Sequence, residues 1–264
     1  MDCHELRAAA EAALAGGRIV RSMFHRGVAM RSKAGEASYN LVSDADVESE
    51  RAIVAVLSGR FPHHAILAEE EHAGTAESEF AWIIDPLDGT NNFAHRIPHF
   101  AVCVGCYQRG QPVCGVVVNP VRGDWYWASA GRGAFHNGDR LHVDAARSLD
   151  QVLIGCGFFY DRGAMMEATL AALADFFRRN VHGIRRFGTA SLDFCCVAEG
   201  MFGAFFEYQL QPWDFAAARI IVEEAGGVVT SGLGADLQLR TSSVLVSNGH
   251  LHADCLEIVR RHHP

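Results

Sequence analysis

The chain has 264 residues, close to half of them hydrophobic and a fifth charged, with a formal charge of −8. That length allows one large domain or two subdomains sharing a core. No stretch gathers Lys and Arg into a nucleic-acid stripe, and no apolar run reaches the ~20 residues a membrane span needs, so neither partner is expected. The N-terminus lacks the basic-then-apolar form of a signal peptide, and a cytoplasmic protein is expected.

In chain order, residues 5–26 are Ala-rich, with Leu6, Ala9, Ala13, Val20 and Phe24 near one face: an amphipathic helix weakened at Gly16-Gly17. Residues 28–33 suit a strand and 34–40 a mobile polar loop. Ser43 and Asp44 are good caps for a second helix ending near Gly59. A short strand at 65–68 ends on Glu69-Glu70-Glu71, and another at 80–84 runs into Asp85. Strands follow near 99–107, 112–118 and 125–129, with a hairpin turn at Asn137-Gly138. From about residue 150 strands (152–156, 183–187, 204–207, 228–230, 243–247) alternate with helices (164–178, 191–200, 215–225, 251–261). An antiparallel-rich part, 1–148, and a βα-rich part, 149–264, suggest two layered subdomains in one compact unit, a mixed α+β and α/β fold.

The eight cysteines do not form a disulfide framework. Cys103 and Cys106 have CxxC spacing, but strand alternation turns them to opposite faces, and adjacent Cys195 and Cys196 suit a buried helix. The fourteen histidines are scattered; His63-His64 and His262-His263 read as solvated loop and tail.

Chemistry concentrates where apolar segments end. Asp85-Pro-Leu-Asp88 places two acids three apart at a strand end, with Pro86 setting a turn. Such carboxylates suit hard divalent cations, while Gly89-Thr90 at a helix start suits an anion such as phosphate. Read alone, the segment also fits a surface turn with Asp85 as a cap. Glu69 and Asp214 likewise follow apolar segments, Asp214 opening a helix expected from Phe215. If strand ends bring Glu69, Asp85, Asp88 and Asp214 together, their repulsion requires cations. No P-loop is present, so a nucleoside triphosphatase is not indicated.

Asp85-Pro-Leu-Asp-Gly-Thr-Asn-Asn-Phe93 and the segment from Trp213-Asp-Phe-Ala to Gly227 resemble the two signatures of the inositol monophosphatase family. Leu41 to Asp46, Ile66 to Glu70 and His182 to Ala190 are similar to further family segments in the same order. The resemblance implies a layered αβαβα sandwich of the sugar-phosphatase type. It implies a first magnesium on Glu69, Asp85 and the Leu87 carbonyl, a second on Asp85, Asp88 and Asp214, and a weaker third helped by Glu69. Gly89 and Thr90 would offer N–H groups to phosphate, with Asp88 beside it. Asp46 and the Thr90 hydroxyl would orient and deprotonate water; Ala190 and Glu207 would line the substrate side. The choice of Glu69 over its neighbours Glu70 and Glu71, expected to face solvent, comes from the resemblance alone, and Asp46 by itself reads as a first-turn acid. Trp213 is expected to be core packing, and Arg185-Arg186 to pair with acids, shape the pocket or make a dimer contact.

Two departures from the family pattern are Ala68, where Gly is usual, and Asn40, where Asp is frequent; the latter, with Lys33, bears on the third ion. The implied activity is magnesium-dependent hydrolysis of a small phosphate monoester, inositol monophosphate foremost, with no covalent intermediate. Fructose-1,6-bisphosphatase, histidinol-phosphate phosphatase and nucleotide 3′-phosphatase are alternatives within the family, and a regulatory protein-binding role is an alternative of another class. Lithium sensitivity and a homodimer are implied with it.

Overall fold

The computed structural model describes residues 3–32, 41–72, 74–76 and 78–264. Lys33 and Asn40, and the loop reading attached to them, lie outside the described residues. The elements run α1 (His4–Arg26), β1 (Met30–Ser32), β2 (Leu41–Ser43), α2 (Asp44–Arg60), β3 (Ala65–Ala68), β4 (Phe80–Asp88), α3 (Thr90–Ala94), β5 (Ala101–Gln108), β6 (Gln111–Asn119), β7 (Asp124–Ser129), β8 (Gly133–His136) and β9 (Asp139–Arg140). They continue as β10 (Leu153–Cys156), α4 (Ala164–Arg178), β11 (Gly183–Arg185), α5 (Ala190–Ala198), β12 (Ala204–Leu210), α6 (Pro212–Glu224), β13 (Val228–Thr230), β14 (Ser242–Ser247) and α7 (His252–Arg261).

Two large sheets carry the fold. Seven strands stand in sequence order from β3 to β9, with β3 parallel to β4 and the rest antiparallel. The other sheet has the order β11-β10-β12-β14-β13, parallel through β11-β10-β12 and antiparallel beyond. Helices α1 and α2 cover one face of the first sheet, and α6, paired with α5, covers the other. Helices α4 and α7 close the far side of the second sheet. The five layers are therefore αβαβα, as the resemblance implies.

The central strands β4, β5 and β6 are buried on both faces, so they read as continuous apolar runs. Cys103 joins the cluster facing α5 and α6, while Cys106 joins the one under α1, so alternation does separate the CxxC pair. Among the described residues no helix is long and apolar enough to cross a membrane.

Helix α1 runs through Gly16-Gly17 as expected, and what the sequence did not show is that Gly16 lies against α2, where a Cβ would be 2.6 Å from Ser49 Oγ. Several local expectations are revised. Helix α6 begins at Pro212, not Phe215, proline being suited to a first turn whose N–H has no helical partner. His64 is not solvated loop; its ring stacks with Phe61 and Phe80 at 4.6 Å. His262 and His263 bond to Asp175 and Ser243, fastening the C-terminus to the fold.

Candidate active site

Strand β4 does not stop at Asp85 as the turn reading of Pro86 requires; it runs on to Asp88 through a bulge. Asp85 pairs with Cys103 and Asp88 with Ala101, so three steps on β4 match two on β5. In a regular strand residues three apart face opposite sides; the extra residue turns Asp85 and Asp88 to the same side. Pro86 has no N–H to lose from the ladder at this point. The bulge is tied down by Ser49 Oγ donating to the Pro86 carbonyl at 3.0 Å and by Leu87 N–H donating to Asp85 Oδ1 at 2.9 Å.

Each neighbouring acid is also held through one oxygen. Asp88 Oδ2 accepts from Ser191 N–H (2.7 Å) and its hydroxyl (2.6 Å) in the first turn of α5. Asp46 is the third residue of α2 and closes a capping box, its Oδ2 accepting from Ser43 N–H (2.8 Å) and Oγ (2.7 Å). Its other oxygen, Oδ1, lies 3.1 Å from the Thr90 hydroxyl. That hydroxyl is also 3.0 Å from the Leu87 carbonyl, so its one proton has two acceptors. Asp214 is the third residue of α6, with Oδ2 accepting from Gln211 N–H at 2.7 Å. Asp46 and Asp214 are thus helix caps that leave a second oxygen for other work.

A cleft of about 620 Å³ opens over these groups, lined by Glu69, Asp85, Leu87, Asp88, Gly89, Thr90, Ala190, Glu207 and Asp214, among others. Asp46 lies beneath it, reached through Thr90. Glu70 also lines the cleft, contrary to the expectation that it faces solvent; Glu71 does face out, against Arg51. Trp213 lines the cleft as well and is not pure core. A second, more open cleft of about 710 Å³ holds Glu79, Arg109 and Arg240 but none of the clustered carboxylates, so the first has the chemistry.

Charge crowding is severe. Burial pushes the Asp85 carboxyl well above the usual range, and Glu69, Asp88 and Asp214 push further. Asp214 is raised in the same direction, by burial and then by Asp88 and Glu69. Burial also lifts Asp46 and Asp88 to about 6, their hydrogen bonds offsetting part of the effect. Among the described residues no three His, Cys, Asp or Glu side chains form a ready-made cage. The carboxylates instead face the cleft from separate elements. Their donor set is all oxygen, and the neighbouring charges acting on Asp85 and Asp214 are those of other acids, which fits a hard divalent cation completed by water.

Gly89 caps α3 in the left-handed region (φ 91°), and a Cβ there would lie 2.3 Å from Thr189 Oγ1. Only glycine allows β4 to turn into α3 against the Gly188–Ala190 segment. Asn92 locks that contact, donating to the Phe187 and His99 carbonyls at 2.8 Å each.

The far wall belongs to the second sheet. Glu207 lies within β12, just before a bulge, and burial lifts its carboxyl to about 8 against the pull of Arg186. Arg186 lines the cleft, while Arg185 turns to the Ile184 carbonyl. Asp193, which the sequence reading passed over, is 1% exposed, and its Oδ1 has no hydrogen-bond partner. Glu50 was also missed: fully buried, it accepts from the N–H groups of Glu70, Glu71 and His72 and so sets the segment after Glu69. Its spacing of four from Asp46 on one helix face was the available signal.

The sequence profile of the inositol monophosphatase family matches residues 2–263. The chain belongs to the inositol monophosphatase family. It is 42% identical over 228 residues to a putative Nus factor SuhB of Neisseria meningitidis serogroup B, covering 86% of this chain and 87% of that one. It is 37% identical over 250 residues to an inositol-1-monophosphatase of Synechocystis, covering 94% and 86%. Among solved structures, an extragenic suppressor protein suhB from Bartonella henselae superposes with a TM-score of 0.88 at 36% identity, covering 97% of this chain and 98% of that one. Membership in the inositol monophosphatase family makes the αβαβα cleft that of a phosphatase fold.

Proposed function

We propose that the protein hydrolyses a small phosphate monoester of a polyol, inositol monophosphate foremost, by direct attack of water. The observation that carries this reading is the convergence of Glu69, Asp85, Asp88 and Asp214 beside the Gly89-Thr90 turn in one cleft. Glu69, Asp85, Asp88, Asp214 and the Leu87 carbonyl would hold two magnesium ions, with Glu69 helping a third. Bound there, the ions would neutralise the carboxylates, acidify water and draw charge off the phosphoryl oxygens.

The protein's own groups do the rest. Gly89 and Thr90 present first-turn N–H groups to the phosphate. Asp46, poised near 6 by burial, accepts a proton from water held against the Thr90 hydroxyl. Glu207 accepts hydrogen bonds from ring hydroxyls of the polyol, and Ala190 leaves space beside it. Positioning of this kind is where catalysis of phosphoryl transfer lies, because the protein forms no covalent bond.

A panel assay tests the reading: phosphate release from inositol 1-phosphate, fructose 1,6-bisphosphate, histidinol phosphate and adenosine 3′,5′-bisphosphate, with and without magnesium. Magnesium-dependent turnover, fastest on inositol 1-phosphate, is expected. Much slower hydrolysis of that ester than of the others overturns the substrate assignment, and turnover unchanged by magnesium removal overturns the mechanism. Lithium inhibition in the same assay and a dimer by sedimentation belong to the same reading.

The resemblance to a putative Nus factor favours a second reading, a regulatory protein-binding role carried by the same fold. Complementation of a deletion phenotype separates the two. Full rescue by Asp88→Asn favours the binding role; failure of a folded variant favours the phosphatase.

A further inference from the structure

Away from the cleft, three cysteines gather where α1 begins on the first sheet. Cys106 on β5 stands directly opposite Cys114 on β6, and Cys114 directly opposite Ser129 on β7. Directly opposed residues carry Cβ atoms ~4.5–5.5 Å apart, so the three form one row across the sheet. Cys106 and Cys114 lie in the apolar cluster under α1, and Cys3 packs against that cluster. The Cys3 thiol lies 3.9 Å from Ser129 Oγ, at the end of the row.

Cys3 differs from every other thiol of the chain. It is half-buried, whereas the other seven are buried. It is also the N-cap of α1: Leu6 N–H points at its sulfur at 3.3 Å, where the helix dipole favours negative charge. The neighbouring Cys114 thiol lowers the Cys3 thiol to about 6, with help from Leu6 N–H and Ser129 against the opposing effect of burial. Cys114 is pushed the other way and keeps its proton. An accessible thiolate thus sits beside a protonated, buried partner, and nothing in the phosphatase chemistry uses either.

We propose that Cys3 and Cys114 are a peroxide-sensitive pair, in which Cys3 is oxidised first and Cys114 resolves it into a Cys3–Cys114 disulfide. The Cys3 thiolate attacks one oxygen of hydrogen peroxide, the O–O bond breaks, and the departing hydroxide takes a proton to become water. Cys3 is left as a sulfenic acid. Cys114 sulfur then attacks Cys3 sulfur, the S–O bond breaks, and hydroxide leaves with the Cys114 proton as a second water. Two thiols lose two electrons to one peroxide. The bond staples the first turn of α1 to the middle of the seven-stranded sheet.

The test uses the full-length protein, reduced and then given one equivalent of hydrogen peroxide. Wild-type protein yields a peptide pair linked through Cys3 and Cys114 on non-reducing mass mapping. Before oxidation it shows one fast-alkylating thiol at pH 7. Cys3→Ser keeps a good N-cap and lowers the alkylation rate about tenfold or more. Cys114→Ser keeps a donor beside Cys3, and with it the fast thiol, and accumulates a Cys3 sulfenic acid that dimedone traps. Phosphate release by each variant reports that the fold is intact. A fast thiol surviving in Cys3→Ser overturns the proposal, as does wild-type protein that oxidises at Cys3 without linking to Cys114.

Discussion

On the wall of the cleft built by the first sheet with α6, Asp85, Asp88 and Asp214 each give one oxygen to a protein donor and crowd their remaining charge together, with Asp46 of α2 beneath them. On the opposite wall, Glu207 of β12 and Asp193 of α5 are buried acids that share a cation the chain itself supplies, Arg186. The charges acting on Asp85 and Asp214 in the first wall are those of other acids, and on the proposed reading magnesium supplies the positive charge. The second has a cation of its own in Arg186, although burial and neighbouring acids still hold Glu207 and Asp193 above the usual carboxylate range. On the proposed reading chemistry and selection are divided between two sets of elements, so changes to each wall are expected to fail differently.

The largest expected effect is on the first wall. Asp88→Asn keeps an acceptor for Ser191 but removes charge, so turnover falls by roughly 10³-fold or more with the fold intact. Phosphate release read beside circular dichroism checks this, and near-normal turnover merges the two walls into one. Gly89→Ala acts on the hinge between them. It forces a side chain to φ 91° against Thr189 Oγ1, so stability falls by about 2 kcal/mol and activity by more than tenfold. Thermal melting and the panel assay read both. Glu207→Gln, on the second wall, is milder: KM for inositol 1-phosphate rises roughly tenfold while kcat changes little. A collapse of kcat instead would place Glu207 with the reacting atoms.

The smallest effect is one of pH. Asp46 and Asp88 near 6 and Glu207 near 8 bind protons in the folded protein that the unfolded chain, near 4, releases. Folded-state proton uptake makes stability highest at low pH within this window and lowers it as pH rises through 6 and 8. The metal-free protein therefore melts roughly 5 °C lower at pH 8 than at pH 5, and magnesium removes only the part that Asp88 contributes. Equal melting at both values without metal would show that burial of these acids carries no cost.

Much of the first wall was legible because its acids lie at the ends of apolar runs and inside two dense signatures. Less legible was how Asp85 and Asp88 come to face one way. Pro86 read as a turn, but pairing with β5 holds the chain extended and turns the extra residue into a bulge. The capping positions of Asp46 and Asp214 were visible, yet a cap and a ligand look the same in sequence until the second oxygen is seen to face a cleft. Asp193 was passed over because an acid near a helix start reads as solvated, and Glu70 because only the side it faces, the cleft rather than Arg51, distinguishes it from Glu71. Such roles depend on contacts between residues up to 103 apart, as between Ser191 and Asp88, which local pattern cannot supply.

The central claim, that the crowded carboxylates are a magnesium site, is tested most directly by titrating magnesium into the metal-free protein in a calorimeter. The account predicts saturable uptake of at least two ions per chain, with one fewer, or much weaker, in Asp88→Asn. No uptake by the folded wild-type protein, or uptake untouched by Asp88→Asn, would contradict it.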